Sequence, residues 1–296
     1  TSVVIPHKIN LKNVVEIKGL NSNNLTYVAL PQTLKNNGIG DDAFIYSSNI
    51  VSYDFVGANE YYKTVDGVLF NKDGSILYRY PANKDLLNYV VPSETSRIAP
   101  YAFSMSKKLD TLDVNVSTID MMAFNNSTSI KTLRLGSKVA NINENTFREF
   151  KSLQFIEIEN NNNFVVINGI LYKQEVVNGS KVPTTAIKCF NKNENARIIL
   201  PETVTLIDGY AFQYCSNIIY LEFGAGVIRY GDSCLDSLTS LKELKFNNPN
   251  ATGVTIRGSE LIFEKYALEK IYAYKDSFMW NELSKKPALR DILQEL

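Results

Sequence analysis

Apolar positions recur along the chain in a six-residue block, apolar–x–x–apolar–x–apolar. The central residues of successive blocks are 21–27 residues apart in seven of nine intervals. Within a block the apolar residues alternate as in a strand with one buried face. Such a period is typical of stacked coils, so the pattern predicts one short parallel strand per coil. The central residues are Val28, Tyr53, Tyr89, Leu112, Leu133, Ile156, Ile198, Leu221, Leu244 and Ile271.

A second element, apolar–x–x–x–Ala–Phe, precedes most blocks by a fixed distance, as in Ile98 to Phe103. It predicts a compact helical or extended segment, with the phenylalanine rings stacked along the interior of the coils. The residues at this position are Phe44, Phe103, Phe124, Phe147, Phe212 and, without a ring, Leu235.

Two intervals are wider, and each contains a turn dipeptide between strand-like runs: Asp66-Gly67 and Asn168-Gly169. These dipeptides favour two-residue hairpin turns, because both turn residues take positive φ. We predict β-hairpins over about 61–81 and 164–191 in place of the Ala–Phe segment. The proline that ends the strand after each hairpin recurs at an offset of 109 residues.

The ends of the chain depart from the repeat. Residues 1–24 lack the Ala–Phe element and are predicted to form an N-terminal cap before a solenoid over 25–274. In residues 275–296 the apolar spacing becomes helical and Pro287 divides it, which predicts a cap of two short helices. Trp280 is predicted to seal the last coil.

Composition and charge exclude several classes of function. The 31 Lys+Arg residues balance 31 Asp+Glu, whereas nucleic-acid binding needs a basic excess or stripe. His7 is the single histidine, so His-dependent catalytic or metal sites are set aside. No apolar run reaches the roughly 18 residues of a membrane span. We expect no catalytic residues, no metal, no cofactor, no nucleic-acid partner and no membrane span in this chain.

The three cysteines do not decide the compartment. Cys215 and Cys234 occupy core positions and are predicted to be buried thiols, while the state of Cys189 stays open. The chain begins at Thr1, so we expect a processed or trimmed product whose signal and anchor lie outside this sequence.

The Ile-x-x-x-Ala-Phe…Leu-x-x-Leu-x-Leu unit, with Asp/Asn-Gly hairpins interspersed, resembles the BspA-like leucine-rich repeats of bacterial surface proteins. The resemblance covers about Leu25 to Ala273. It implies an α/β solenoid, a right-handed superhelix with a parallel β-sheet face. It also implies a cell-surface or secreted location and adhesion to other cells or to matrix proteins. The family has no shared catalytic motif.

Side chains between the apolar positions of each block are predicted to line the exposed face of the sheet. They form two neighbouring lanes, which we take as the candidate ligand-binding surface. The candidates are Asp113, Arg134, Glu157, Glu222, Lys245 and Tyr272 in one lane and Phe155 and Tyr220 in the other.

Asp113 and Glu157 have two interpretations. Two carboxylates two strands apart are separated by roughly 9–10 Å, which is close to the spacing in inverting glycosidases. Arg134 between them instead indicates charge alternation, because like charges on adjacent strands repel. It would also hold both carboxylates ionised, which does not suit a general acid. The structural interpretation is favoured.

The sequence therefore predicts a binding or adhesion module without enzymatic activity. The expected partner is a surface protein of a host or neighbouring cell, an extracellular-matrix protein or a glycan, bound through the sheet or the hairpins. The alternatives are a carbohydrate-active β-solenoid enzyme and an architectural spacer within a larger surface protein.

Overall fold

The computed structural model describes residues 1–251, 253–254 and 267–296. Residues 252 and 255–266 of the predicted 25–274 solenoid lie outside the described residues. The chain divides into two compact units, Thr1–Leu153 and Gln154–Leu296, and each is a β-solenoid.

The first unit contains fourteen short strands. They are β1 (Ser2–Val4), β2 (Lys8–Ile9), β3 (Lys12–Asn13), β4 (Tyr27–Pro31), β5 (Ser52–Val56), β6 (Tyr62–Val65), β7 (Val68–Asn71), β8 (Ile76–Arg79), β9 (Asn88–Val90), β10 (Arg97–Ile98), β11 (Thr111–Val114), β12 (Thr118–Ile119), β13 (Thr132–Leu135) and β14 (Asn141–Ile142).

The block strands of this unit pair in parallel with their central residues opposed. Val28 faces Tyr53 between β4 and β5, and Leu112 faces Leu133 between β11 and β13. These central side chains are buried, so the alternation in the sequence identified the inward face correctly. The predicted parallel sheet is confirmed.

The second apolar element forms a separate short ladder rather than a helix. Strands β8, β10, β12 and β14 pair in parallel, with Ile98 opposite Leu77 on one side and Ile119 on the other. Three residues after these isoleucines, Tyr101 and Met122 have φ of 60° and 55°, which ends any helix. The Ala–Phe pairs therefore lie in turns, where Phe103 N donates to Ala123 O at 2.8 Å in the next coil.

Three of the predicted rings stack in the core of the first unit, whereas the Phe44 ring packs edge-on against Tyr53. Phe103 lies 6.0 Å from Phe124 between ring centroids, and Phe124 lies 5.8 Å from Phe147. Tyr80 from the first hairpin extends the row at 5.2 Å from Phe103.

The N-terminal segment pairs with the following coil at two places. Val3 pairs with Val28 through β1 and β4, and Ile17 pairs with Ile39. Between them β2 and β3 form an exposed hairpin. Residues 1–24 thus build a coil of their own, with the short strand in place of a full block.

The first hairpin replaces the Ala–Phe segment of its coil. Strands β6 and β7 are antiparallel around Asp66 and Gly67, whose φ values of 48° and 77° fit the expected turn. A Cβ at Gly67 would lie 2.5 Å from Ser52 Oγ, so this turn also needs glycine for space. Strand β8 then joins the short ladder.

The second unit contains twelve strands and two helices among its described residues. The strands are β15 (Phe155–Ile158), β16 (Phe164–Ile167), β17 (Ile170–Val177), β18 (Ser180–Cys189), β19 (Ala196–Ile199), β20 (Leu206–Ile207), β21 (Ile218–Phe223), β22 (Arg229–Tyr230), β23 (Glu243–Phe246), β24 (Gly253–Val254), β25 (Lys270–Ala273) and β26 (Leu293–Glu295). The helices are α1 (Phe278–Ser284) and α2 (Pro287–Arg290).

The second unit repeats the two-ladder design. Its block strands β19, β21, β23 and β25 lie in that order in one sheet, with β26 after them. The second hairpin, β16 to β18, leads into the short ladder of β20, β22 and β24. The turn at Asn168 and Gly169 again has two positive φ values. Here β17 and β18 continue past the ladder to a further tight turn at Asn178 and Gly179.

The C-terminal tail differs from its prediction at the very end. After α1 and α2, β26 pairs in parallel with β25, with Leu293 opposite Ile271. The tail therefore supplies a final strand for the open sheet edge, which helical spacing alone does not predict. Trp280 is half-buried and packs against the core of the unit.

In the core of the second unit, Phe212 and the ringless Leu235 are buried at the predicted positions. Further aromatic contacts come from Phe223 and Phe246, whose ring centroids are 5.3 Å apart. Cys189, Cys215 and Cys234 are buried free thiols, as predicted for the last two. Burial raises the pKa of the Cys234 thiol to about 12.

Each hairpin also places a cation inside the core. Arg79 at the end of β8 and Lys188 near the end of β18 are both 2% exposed and are 109 residues apart in the sequence. Both donate to backbone carbonyls.

Candidate functional site

The outward side of the block strands in the second unit brings four predicted residues together. Glu222 on β21 is opposite Lys245 on β23, which is opposite Tyr272 on β25. Tyr220 lies two residues before Glu222 and therefore on the same side of its strand. We call these four residues the recognition row.

Glu222 is the centre of this row. Tyr220 Oη donates to Glu222 Oε2, and Lys245 Nζ donates to Glu222 Oε1 at 3.1 Å. Asn247 Nδ2 donates to the same oxygen at 2.6 Å. Both carboxylate oxygens are thus engaged, which fixes the side chains around them in one arrangement.

The pKa values of this cluster follow from those contacts. Burial favours the neutral form of Glu222, but the hydrogen bonds from Tyr220, Asn247 and Lys245 outweigh it and lower the pKa of its carboxyl. Burial and the hydrogen bond to Glu222 raise the pKa of Tyr220 to about 12. At neutral pH the pair is therefore a phenol bound to a carboxylate, which suits recognition better than proton transfer.

Two neighbours of the row are absent from the predicted set. The guanidinium carbon of Arg197 on β19 lies 3.9 Å from the centroid of the Tyr220 ring, a cation–π contact. Asn247 follows Lys245 by two residues on the same face. The alternation that identified Lys245 also indicates Asn247, which lies one residue beyond the end of the block.

The first unit carries a simpler pair. Asp113 and Arg134 are opposed on β11 and β13, and Arg134 Nη1 lies 3.4 Å from Asp113 Oδ1. Both side chains are more than a third exposed. Exposed pairs of this kind add little stability, so these charges remain accessible on the face of the sheet.

The remaining predicted residues, Phe155 and Glu157, share one face of β15 in the second unit. Phe155 is 56% exposed and Glu157 is exposed. An exposed ring of this size is an available contact point for a ligand.

Two further features of the described residues bear on function. They contain no group of three or more His, Cys, Asp or Glu side chains that could hold a metal ion. Across the same residues, neither helix has the length and apolarity to cross a bilayer.

Comparisons with known proteins agree with this architecture. A family model described as the BspA type leucine rich repeat region, with six copies, matches residues 75–172 and 173–278. Curated proteins give no significant sequence match. The structure is similar to that of a leucine rich cell surface protein from Faecalibacterium prausnitzii A2-165. The identity is 17%, the match covers 92% of this chain and 81% of that chain, and the TM-score is 0.56.

Two other solved structures are similar over a smaller share of their own length. One is a leucine-rich repeat protein from Eubacterium ventriosum ATCC 27560, with 17% identity over 83% of this chain and 57% of that chain and a TM-score of 0.48. The other is the pneumococcal vaccine antigen PcpA, with 18% identity over 92% of this chain and 54% of that chain and a TM-score of 0.40. The chain thus spans a little over half the length of these two proteins. Since the family model matches well over half of the sequence, the chain belongs to the BspA-type leucine-rich repeat family.

Proposed function

We propose that the chain is a non-enzymatic binding module of a cell-surface or secreted protein, and that the recognition row contacts a protein ligand. The expected partner is a surface protein of a host or neighbouring cell or an extracellular-matrix protein. The observation that carries the proposal is the hydrogen-bonded arrangement of Tyr220, Glu222 and Lys245 on a parallel sheet. A preorganised aromatic and charged surface loses little side-chain entropy on binding.

The composition of this surface supports a protein rather than a small molecule. Tyrosine and arginine are enriched among the residues that dominate protein interfaces, and Arg197 and Tyr220 are in direct contact here. The engaged carboxylate of Glu222 counts against a role of this residue as a general acid.

The test is a binding screen of the whole chain against extracellular-matrix and cell-surface proteins. We expect the double substitution Tyr220→Ala and Tyr272→Ala to lower the affinity for a bound protein at least tenfold, because it removes both aromatic side chains of the recognition row. A tenfold change corresponds to about 1.4 kcal/mol of binding free energy. Tyr46→Ala is the matched control, since Tyr46 is an exposed tyrosine of the first unit. Binding that survives the double substitution contradicts the proposed surface. Hydrolysis of a polysaccharide by the unmodified chain contradicts the absence of catalysis.

A further inference from the structure

A groove in the first unit lies where the short ladder is interrupted. Ile39 pairs with Ile17, whereas β8 pairs with β7 and β10. Two adjoining cavities of about 380 and 500 Å³ open at this break. Both are lined by Asn37, Ile76 and Tyr78, so they form one elongated depression, which we call the tyrosine groove.

Two half-buried tyrosines form the wall of the groove. The ring of Tyr78 packs edge-on against buried Tyr62, with centroids 5.4 Å apart, which fixes its orientation. Tyr61 is held through its backbone: its N donates to Asn59 Oδ1 at 2.7 Å, and its O accepts from Lys72 N at 2.7 Å. The groove therefore presents aromatic surface that is already ordered.

The cations around the groove are already engaged. Lys18 Nζ lies 2.7 Å from Glu16 Oε1, Arg97 Nε lies 2.6 Å from Asp120 Oδ2, and Lys72 Nζ donates to Asn59 O at 2.7 Å. An anionic ligand such as a phosphate would have to displace these partners. The groove is thus poorly suited to a charged group.

The groove side chains that lack an intramolecular hydrogen bond are neutral or acidic, unlike the engaged cations. Among the described residues, no protein group forms a hydrogen bond with the carboxylates of Asp41 and Glu60, the side-chain amide of Asn37 or the hydroxyl of Tyr61. All four side chains line the two cavities. Carboxylates accept two hydrogen bonds from neighbouring hydroxyls, and an amide both donates and accepts. With tyrosine faces beside them, these groups match a polyhydroxylated ring with an apolar C–H face.

An extended peptide fits less well, because the backbone edges beside the groove are in use. Both edges of β8 are paired. The carbonyls of Gly40 and Asp41 accept from the buried guanidinium of Arg79. Strand addition, which supplies much of the affinity for an extended peptide, has no free edge at β8, the strand that lines both cavities.

We propose that the tyrosine groove binds a neutral oligosaccharide, with sugar rings against Tyr78 and Tyr61 and their hydroxyls bound by Asp41, Glu60 and Asn37. Two cavities that meet at Tyr78 suit a chain of sugars better than a single ring. This site shares no residue with the recognition row, so it adds a second ligand class beyond the proposed function.

The experiment presents the whole chain to an array of neutral, sialylated and sulfated oligosaccharides and to a peptide array. Affinities for the hits are then measured by calorimetry. We expect binding to neutral hexose or N-acetylhexosamine oligomers. Tyr61→Ala and Asp41→Asn should each weaken it at least tenfold, and Tyr220→Ala should leave it unchanged. Both test residues are partly exposed, so the variants are expected to fold, which thermal unfolding checks.

Three outcomes overturn the proposal: no neutral oligosaccharide binds, sulfated or sialylated ligands alone bind, or a peptide binds and is lost in the groove variants. The two sites are tested separately. If the recognition row is correct, the Tyr220 and Tyr272 variants lose protein binding and keep oligosaccharide binding. If the tyrosine groove is correct, the Tyr61 and Asp41 variants lose oligosaccharide binding and keep protein binding.

Discussion

Beside each of the two hairpins, a buried cation donates hydrogen bonds to backbone carbonyls, but the cation is arginine in the first unit and lysine in the second. In the first unit Arg79 donates to five carbonyls: Nε to Ala43 O at 2.9 Å, Nη1 to Tyr78 O and Pro100 O at 2.6 and 2.8 Å, and Nη2 to Gly40 O and Asp41 O at 3.1 and 2.7 Å. In the second unit Lys188 Nζ donates to Gln213 O at 2.9 Å. Both side chains are almost fully buried at matching positions.

The difference shows how a solenoid accommodates an inserted hairpin. A hairpin breaks the regular ladder and leaves carbonyls that must find donors inside the protein. The planar fork of arginine reaches several acceptors at once, whereas the lysine amine has three donors at one point. Arg79 therefore ties its hairpin to residues 40–43 and to Pro100, and we expect the first hairpin to depend more on its cation than the second.

Arg79→Met gives the largest expected effect. It leaves several buried carbonyls without donors, and we expect a loss of about 3–5 kcal/mol in the free energy of unfolding of the first unit. Hydrogen exchange should show early opening of β8 and β10 relative to β13. Arg79→Lys should recover part of the loss. Equal exchange in Arg79→Met and the unmodified chain would refute the role given to Arg79.

Lys188→Met should cost less, about 2–3 kcal/mol, because the lysine amine has three donors at one point whereas the guanidinium has five. The measurement is hydrogen exchange of β18 and β20, with the first unit as an internal reference. Should Lys188→Met destabilise its unit as much as Arg79→Met does, the contrast between the two hairpins is wrong.

The smallest effect concerns the charged groups on the exposed sheets. Glu222 has a pKa below its usual value of 4.5, so the unfolded chain takes up a proton first as the pH falls. Its contribution, at most about 1 kcal/mol, is present above pH 4.5 and is lost as the pH falls further. Glu222→Gln should remove this part of the acid dependence in thermal unfolding at pH 3–6.

At pH 7, Asp113→Asn should change stability by less than about 0.5 kcal/mol, because its ion pair is exposed.

The block period and the Asp-Gly and Asn-Gly turns were readable from the sequence because both are local. Alternation fixes the inward face of a strand, and the turn dipeptides favour positive φ at two successive residues. The phenylalanine row followed from the same regularity in the first unit. In the second unit the same regularity also placed the ringless Leu235 in the core, but it did not show that Phe223 and Phe246 supply the aromatic contacts there. A register pattern identifies a buried position but not which neighbour fills the space.

The recognition row was readable only in part. The register that places Glu222 beside Lys245 follows from the repeat, but the donation from Asn247 and the stacking of Arg197 on Tyr220 depend on side-chain conformations. The tyrosine groove had no sequence signal, since its residues come from five separate segments outside the block pattern.

The sequence by itself determined the coil: its period, its buried face, its hairpins and its family, because each depends on residues close together in the chain. Only the tertiary structure decided where the chain departs from the repeat. The first coil built by residues 1–24, the closing strand β26 and the carbonyls gathered by Arg79 all depend on partners far apart in the sequence. These contacts form because buried backbone groups need hydrogen bonds inside the protein, and the spacing of apolar residues does not predict which distant group supplies them.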